Sequence, residues 1–224
     1  ISGVPSGAVL SAGTNQGGGV WLLTSAQLSG LTITPPSHDD SDFTLTVTVT
    51  ATEASNSDTA TATETIDVSV TAVADAPTLN VTSTASGNED TAIALSISPS
   101  LVDTDASEAL TVQISGVPSG AVLSAGTNQG GGVWMLTAAQ LSGLTITPAT
   151  HDHSDFTLTV TATSTESANS DTATSASQTI NVSVVAVADT PILNVTDTAS
   201  GNEDSAISLS ITAPSLVDSD GSES

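Results

Sequence analysis

Phe43-Thr-Leu-Thr-Val-Thr-Val-Thr-Ala51 decides the fold: Phe43, Leu45, Val47, Val49 and Ala51 fall on one side of an extended chain and four threonines on the other. Successive side chains of a strand point to opposite faces, so this period of two predicts a half-buried antiparallel strand. Ile66, Val68, Val70 and Ala72 alternate in the same way with Asp67, Ser69 and Thr71, as do Ile93, Leu95 and Ile97 with Ala94 and Ser96. No comparable stretch has helical period. Acidity and scarce aromatics are marks of disorder, but the abundant Val, Leu, Ile and Ala stand in ordered alternation, which argues for a folded chain.

Working outward, the segment Ile1 to Trp21 returns unchanged as Ile114 to Trp134, a period of 113 residues. Gly87-Asn-Glu-Asp-Thr-Ala-Ile93 returns as Gly201-Asn-Glu-Asp-Ser-Ala-Ile207, and Leu101-Val-Asp-Thr-Asp-Ala-Ser-Glu108 as Leu216-Val-Asp-Ser-Asp-Gly-Ser-Glu223. A period of this size is a domain, not a solenoid turn. The reading is therefore the C-terminal part of one repeat over 1–75, one complete repeat over 76–189 and the N-terminal part of a further repeat over 190–224. The start at Ile1, without a leader or initiating methionine, reads as an excised segment.

Within the complete repeat, Gly, Pro, Asn, Asp and Ser signals separate strands expected near 78–83 (A), 92–97 (B), 109–114 (C), 132–137 (D), 143–147 (E), 155–164 (F) and 175–187 (G). Seven short strands in about 113 residues predict an all-β fold of tandem immunoglobulin-like, cadherin-like Greek-key β-sandwiches. Trp134 is expected in the core, one helical turn is expected at 139–143, and Gly130 to Gly132 are expected to form a hairpin or bulge. A phosphate cradle there is excluded, because no helix or Lys-Ser/Thr pair follows the glycines.

The chain holds 24 acidic residues, no lysine and no arginine, for a formal charge of −24. Ordinary domains are roughly one-quarter charged, with cations making up about half of that. Such a chain repels nucleic acid and anionic lipid, and it has no clamp for phosphate or carboxylate substrates. Absent cysteine excludes disulfides, thiolate metal sites and cysteine nucleophiles. No apolar run reaches the roughly 20 residues of a membrane-spanning helix. No Ser/His/Asp spacing recurs, so no enzyme is expected. Trypsin-like proteases find no cleavage site.

No carboxylate has a permanent cationic partner in the chain, so clustered acids must stay hydrated, shift their pKa values or take a cation from solvent. On the strand map the A–B and E–F connections and the end of G share one pole of the sandwich, and B–C and F–G share the other. Head-to-tail stacking then sets Asp39, Asp40, Asp42 and Asp75 against Asp103, Asp105, Glu108 and Glu166, with Asp171 nearby. A second junction gathers Glu89, Asp90, Asp152, Asp155 and Asp189 with Asp218, Asp220 and Glu223. These sixteen junction acids are the candidate metal ligands. Calcium, which takes six to eight hard oxygens in flexible geometry, is the expected cofactor, in preference to magnesium. The competing reading is that the acids occupy solvated loops and aid solubility. Asp218-Ser-Asp-Gly-Ser-Glu223 lacks the spacing and flanking helices of an EF-hand. His38, His151 and His153 lie beside these acids as surface histidines, with transition-metal binding by His151 and His153 as the alternative.

Val-Ala-Asp-Ala-Pro at 73–77, Asn-Glu-Asp at 88–90, Leu-Val-Asp-Thr-Asp at 101–105, Ile-Ser-Gly-Val-Pro-Ser-Gly at 114–120 and Asp155-Phe-Thr-Leu-Thr-Val160 carry a resemblance over the whole chain. It resembles the tandem cadherin-like and immunoglobulin-like repeats of giant bacterial RTX adhesins, surface proteins exported by type I secretion. The resemblance implies an extracellular location at the bacterial surface, neighbouring repeats as partners, and a role as extender between membrane anchor and ligand-binding region. Aligned with the cadherin calcium motifs, Glu89, Asp103, Asp105, Asp152, Asp155, Glu166 and Asp189 fall at ligand positions. The linker departs from that pattern in having a single acid before proline.

The leading expectation is thus a structural extender stiffened by calcium at its junctions, each sandwich about 40 Å long if its longest strands run about 12 residues at 3.3 Å each. An adhesive module for glycan or protein is the alternative. The ends also suggest a filament in which strands A and B of one chain complete the C-to-G part of another, while a cut through a longer array explains the same ends.

Overall fold

A computed structural model of the protein describes residues 1–103 and 106–217. Among these residues the regular secondary structure is nearly all strand. In chain order the strands are β1 (Val9–Leu10), β2 (Thr14–Gly17), β3 (Val20–Leu22), β4 (Ile33–Thr34), β5 (Phe43–Thr52), β6 (Thr59–Val68), β7 (Thr78–Val81), β8 (Thr84–Asn88) and β9 (Ile93–Ala94). They continue as β10 (Ile97–Ser100), β11 (Glu108–Ser115), β12 (Val122–Leu123), β13 (Thr127–Gly130), β14 (Val133–Thr137), β15 (Thr145–Thr147), β16 (Phe156–Glu166), β17 (Thr172–Thr174) and β18 (Gln178–Val185). The only helical pieces among the described residues are short 3₁₀ turns at Ser25–Gln27 and Ala138–Leu141.

The chain divides into two compact units. The first comprises Ile1–Thr78, Ser100–Leu110 and Thr163–Ser175, and the second Leu79–Pro99, Thr111–Ala162 and Ala176–Ser224. These bounds cut across the sequence repeats. The reason lies in hydrogen bonds within the first unit: residues 72–75 are held by Asn169, Asp171 and Glu108, from segments that the sequence assigns to the following repeat.

In the first unit the stretch that opens the sequence argument is β5, paired with β6 over ten residues from Phe43↔Val68 to Thr52↔Thr59. β1 pairs with β4, and β2 with β3. Val4, Ala8, Leu10 and Leu45 form the core, with Ile1, Trp21, Leu23, Leu31, Ile33, Phe43 and Val68 packed against it. The far end of β16 pairs with β17 in this unit.

The second unit is a β-sandwich. One sheet runs in the order β13-β14-β11-β16-β18-β8, the other in the order β12-β15-β9, and β7 pairs with β10. Each sheet has a buried face, with Val112, Ile114, Leu158, Val160, Ile180 and Val182 from the first and Ile93, Leu123 and Ile146 from the second. Trp134 is buried as expected. Gly130 closes a bulged hairpin between β13 and β14. Gly132 adopts φ +76°, and its backbone donor-acceptor contact with Val117 leaves no room for a side chain: a Cβ would stand 2.5 Å from the Val117 carbonyl oxygen.

Most expected strands appear within one to three residues of their reading, with three differences. Strand A changes sheets. After Val81 the Thr82 N–H still donates to Ser96 O, at 3.0 Å, but the Ser83 carbonyl already accepts from Asn181 N, at 2.9 Å. β8 then runs parallel to β18 from Asn181↔Thr84 to Val185↔Asn88. Strand B is broken between β9 and β10 where Leu95 N–H donates to Leu144 O. Strand G is interrupted between β17 and β18. Edge pieces β12 and β13 have no alternating pattern long enough to read, because two to four residues cannot establish a period.

Candidate metal centre

The alternation that builds the core also buries an acid. Along β16 the inward positions are Leu158, Val160, Ala162, Ser164 and then Glu166, all buried. A period of two run to the end of the strand therefore carries Glu166 to the inner side, where it is 1% exposed. A tight hairpin follows. Glu166 N donates to Asp171 O (2.9 Å), Ser170 takes the left-handed conformation at φ 64°, and Asp171 N donates to Asn169 Oδ1 at 2.8 Å.

That hairpin and the start of β11 hold the linker residues 72–75 at the same place within the first unit. Asn169 Nδ2 donates to Ala72 O (2.7 Å), Ala74 N to Asp171 Oδ2 (3.1 Å) and Asp75 N to Glu108 Oε1 (2.8 Å). Ser164 Oγ donates to the Asp75 carbonyl at 2.5 Å. The Asp75 carboxylate thereby comes within 2.6 Å of His38 Nδ1.

Two overlapping triads of potential ligands result: His38, Asp75 and Asp103, and Asp103, Glu108 and Glu166, with ligand atoms in each triad lying within 4.8 Å of one another. His38, Asp75, Asp103 and Glu166 line a cleft of about 440 Å³ that Asp39 and Asp40 also border. Two unit charges at that separation repel by about 3.5 kcal/mol or more at an effective dielectric of 20, so three ionised carboxylates cost about as much as a domain's whole stability. The site must be neutralised. Burial raises the Glu166 pKa above the ordinary 4.5, and the negative charges of Glu108, Asp103 and Asp40 raise it further, while the Ser107 side chain opposes this only in part. Glu166 Oε2 and Glu108 Oε2 are buried without a hydrogen-bond partner among the described residues. Such orphaned oxygens are costly and are the atoms a hard cation would take. The set is all carboxylate apart from one imidazole, and it fits calcium in ligand type. Asp103, Glu108 and Glu166 form one group that could hold an ion, and His38, Asp75 and Asp103 another.

The second unit builds a related group. Asp90, in a left-handed turn at φ 56°, accepts from His151 N through Oδ1 at 3.0 Å. His151 Nδ1 lies 3.3 Å from Asp90 Oδ2 and 2.7 Å from Asp189 Oδ2. These three residues form the third group able to hold a metal. Nearby in sequence, Glu89 is 2% exposed and accepts from Val187 N at 2.6 Å through Oε1, while its Oε2 has no hydrogen-bond partner among the described residues.

Other candidates have different work. Asp42 accepts from Val70 N, just past β6, at 2.7 Å, and Asp155 from Val184 N, in β18, at 2.8 Å. Asp39 and Asp152 close Asx turns on Ser41 and Ser154. Asp39, Asp40, Asp42, Glu89, Asp152 and Asp155 belong to none of the three groups found among the described residues. Asp105, Asp218, Asp220 and Glu223 lie outside the described residues. Sequence reasoning missed the pairing of His38 and His151 with the linker aspartates, and the role of Asn169. One signal was available: Asn-Ser-Asp recurs at 56–58 and 169–171, and Asp58 N donates to Asn56 Oδ1 as Asp171 N does to Asn169.

No family model matches the chain, and a search of curated proteins finds no similar sequence.

Proposed function

We propose that the chain is a non-catalytic structural extender of a bacterial surface adhesin, made of serial immunoglobulin-like repeats that calcium stiffens where one repeat meets the next. The observation that carries this reading is Glu166, buried at the end of β16 with an unpartnered oxygen beside Asp103 and Glu108, in a chain with no lysine or arginine. Residues from two sequence repeats contribute to that cluster, Asp75 from the first and Asp103, Glu108 and Glu166 from the second. An ion held by both would resist bending at the linker, and its removal would leave acids that repel one another. Magnesium fits less well, since it prefers few carboxylates and strict octahedral geometry. The extracellular location and the RTX resemblance belong to the same proposal: a chain folded by calcium suits a calcium-rich exterior.

The test is a calcium titration read by thermal melting, joined to small-angle scattering in calcium and in chelator. A saturable rise in Tm together with a longer, less variable particle supports the proposal. Identical scattering curves in the two buffers would remove the stiffening role.

A further inference from the structure

Asp90, His151 and Asp189 all belong to the complete repeat and to the second unit, and they share no residue with the Asp103–Glu108–Glu166 group. The donor set differs too, with one imidazole and two carboxylates in place of carboxylates alone. Calcium takes six to eight oxygens, whereas imidazole suits zinc, copper and nickel, so ligand type separates the two groups.

His151 Nδ1 lies 2.7 Å from Asp189 Oδ2 and 3.3 Å from Asp90 Oδ2, yet this buried atom forms no hydrogen bond among the described residues. His38 Nδ1, at 2.6 Å from Asp75 Oδ2, does form one. A donor and its acceptor point at each other; ligand atoms that converge on a third atom are close without that alignment. Ligand atoms held about 2.0–2.2 Å from one tetrahedral ion stand about 3.3–3.6 Å apart. The contact with Asp90 already has that separation, and the contact with Asp189 reaches it by opening about 0.6 Å.

Hydrogen bonds hold this arrangement in place. Asp90 Oδ1 accepts from His151 N at 3.0 Å, while Oδ2 lies toward the ring. Glu89 N donates to Val185 O at 3.0 Å and Val187 N donates to Glu89 Oε1 at 2.6 Å, so the turn that carries Asp90 is tied to the segment leading into Asp189. Glu89 is 2% exposed, and its Oε2 has no hydrogen-bond partner among the described residues. In a chain without lysine or arginine, such a buried oxygen one residue from Asp90 carries charge that a nearby cation would offset.

We propose that Asp90, His151 and Asp189 bind a divalent transition-metal ion of the zinc type, His151 through Nδ1 and each aspartate through one oxygen, with water completing the shell. Of the two histidines in the connection between β15 and β16, only His151 belongs to the group.

The test titrates zinc by isothermal calorimetry into the 224-residue chain carrying His38→Asn, which removes the imidazole of the His38–Asp75–Asp103 group, with and without excess calcium. A single zinc ion bound in both buffers is the expected result. In that background His151→Asn removes the ring nitrogen while suiting the left-handed backbone at φ 55°. It should weaken zinc by more than about 100-fold, since even the outer partners of metal ligands are worth about 10–100-fold. Asp90→Asn and Asp189→Asn should each weaken it as well, and His153→Asn should not; unchanged circular dichroism verifies the folds. Proton–nitrogen correlation spectra of the histidine rings should place the zinc-induced shift at Nδ1 of His151. Absence of zinc binding, an affinity that His151→Asn leaves unchanged, or a shift at Nε2 overturns the proposal. Displacement of zinc by calcium also overturns it, because the group would then be one more hard-oxygen site. None of these outcomes touches calcium binding at Asp103, Glu108 and Glu166, which is measured separately.

Discussion

Replacing Glu166 by glutamine keeps the shape of the side chain and removes its charge from the Asp103–Glu108–Glu166 triad. Glu166 enters two of the three repulsive pairs, whose ligand atoms lie within 4.8 Å. At an effective dielectric of 20 and the full 4.8 Å those two pairs come to about 7 kcal/mol when all three groups are ionised. Proton uptake by Glu166 and hydration of the less buried Glu108 reduce it, leaving an expected gain of about 2 kcal/mol in chelator. For 150–250 residues that corresponds to about 4–8 °C in Tm. At the proposed calcium site the ion would act in the opposite sense: a ligand at a hundredfold excess over its Kd stabilises by about 2.7 kcal/mol, and the variant has lost one anionic oxygen donor to it. Differential scanning calorimetry should therefore show a crossover, with the variant melting above the parent in chelator and gaining less from calcium. A variant that melts lower in chelator, or that gains as much from calcium as the parent, refutes the electrostatic account of this site.

Stability without calcium should fall as pH rises. The Glu166 pKa is raised in the folded state, so between the ordinary glutamate range and that raised value the folded chain binds more protons than the unfolded chain, and deprotonation costs stability. Urea melts across mildly acidic to neutral pH measure the slope, which Glu166→Gln should flatten. In the core, Trp134→Ala should cost about 3–5 kcal/mol, and Trp21→Ala less, because Trp21 is only partly buried; tryptophan fluorescence of each single variant follows the remaining copy. In the β13–β14 hairpin, Gly131→Ala meets open space at φ 60° while Gly132→Ala strikes the Val117 carbonyl. The first should cost about 1–2 kcal/mol for the left-handed backbone alone, and the second more, as chemical denaturation would show.

Much of this molecule is written locally. Period-two alternation in Phe43 to Ala51 and its copy at 156–164 determined both strands, because side-chain direction in a strand depends on parity alone; burial follows that parity from Leu158 to Glu166, whereas in β5 only Leu45 is buried and Val49 is 60% exposed. The same parity, continued two residues, put Glu166 inside. The identical segments at 1–21 and 114–134 determined that their local conformations match, down to the positive φ of Gly19 and Gly132. The absence of lysine and arginine determined that any compensating cation must be histidine or come from solvent.

Sequence could not tell which acids meet. Asp42, Asp75 and Asp103 are equally acidic on paper, yet Asp42 is occupied by a backbone N–H while Asp75 and Asp103 share one cluster. Nor could it reveal that strand A would leave one sheet for the other at Thr82, since both halves have the same alternation. Pairing partners and carboxylate separations depend on residues nearly 100 positions apart, as with Asn169 and Ala72, and no local pattern encodes a distance of that kind. Tertiary structure made that choice by satisfying the linker's backbone groups with Asn169, Asp171 and Glu108, and in doing so it brought the acids together.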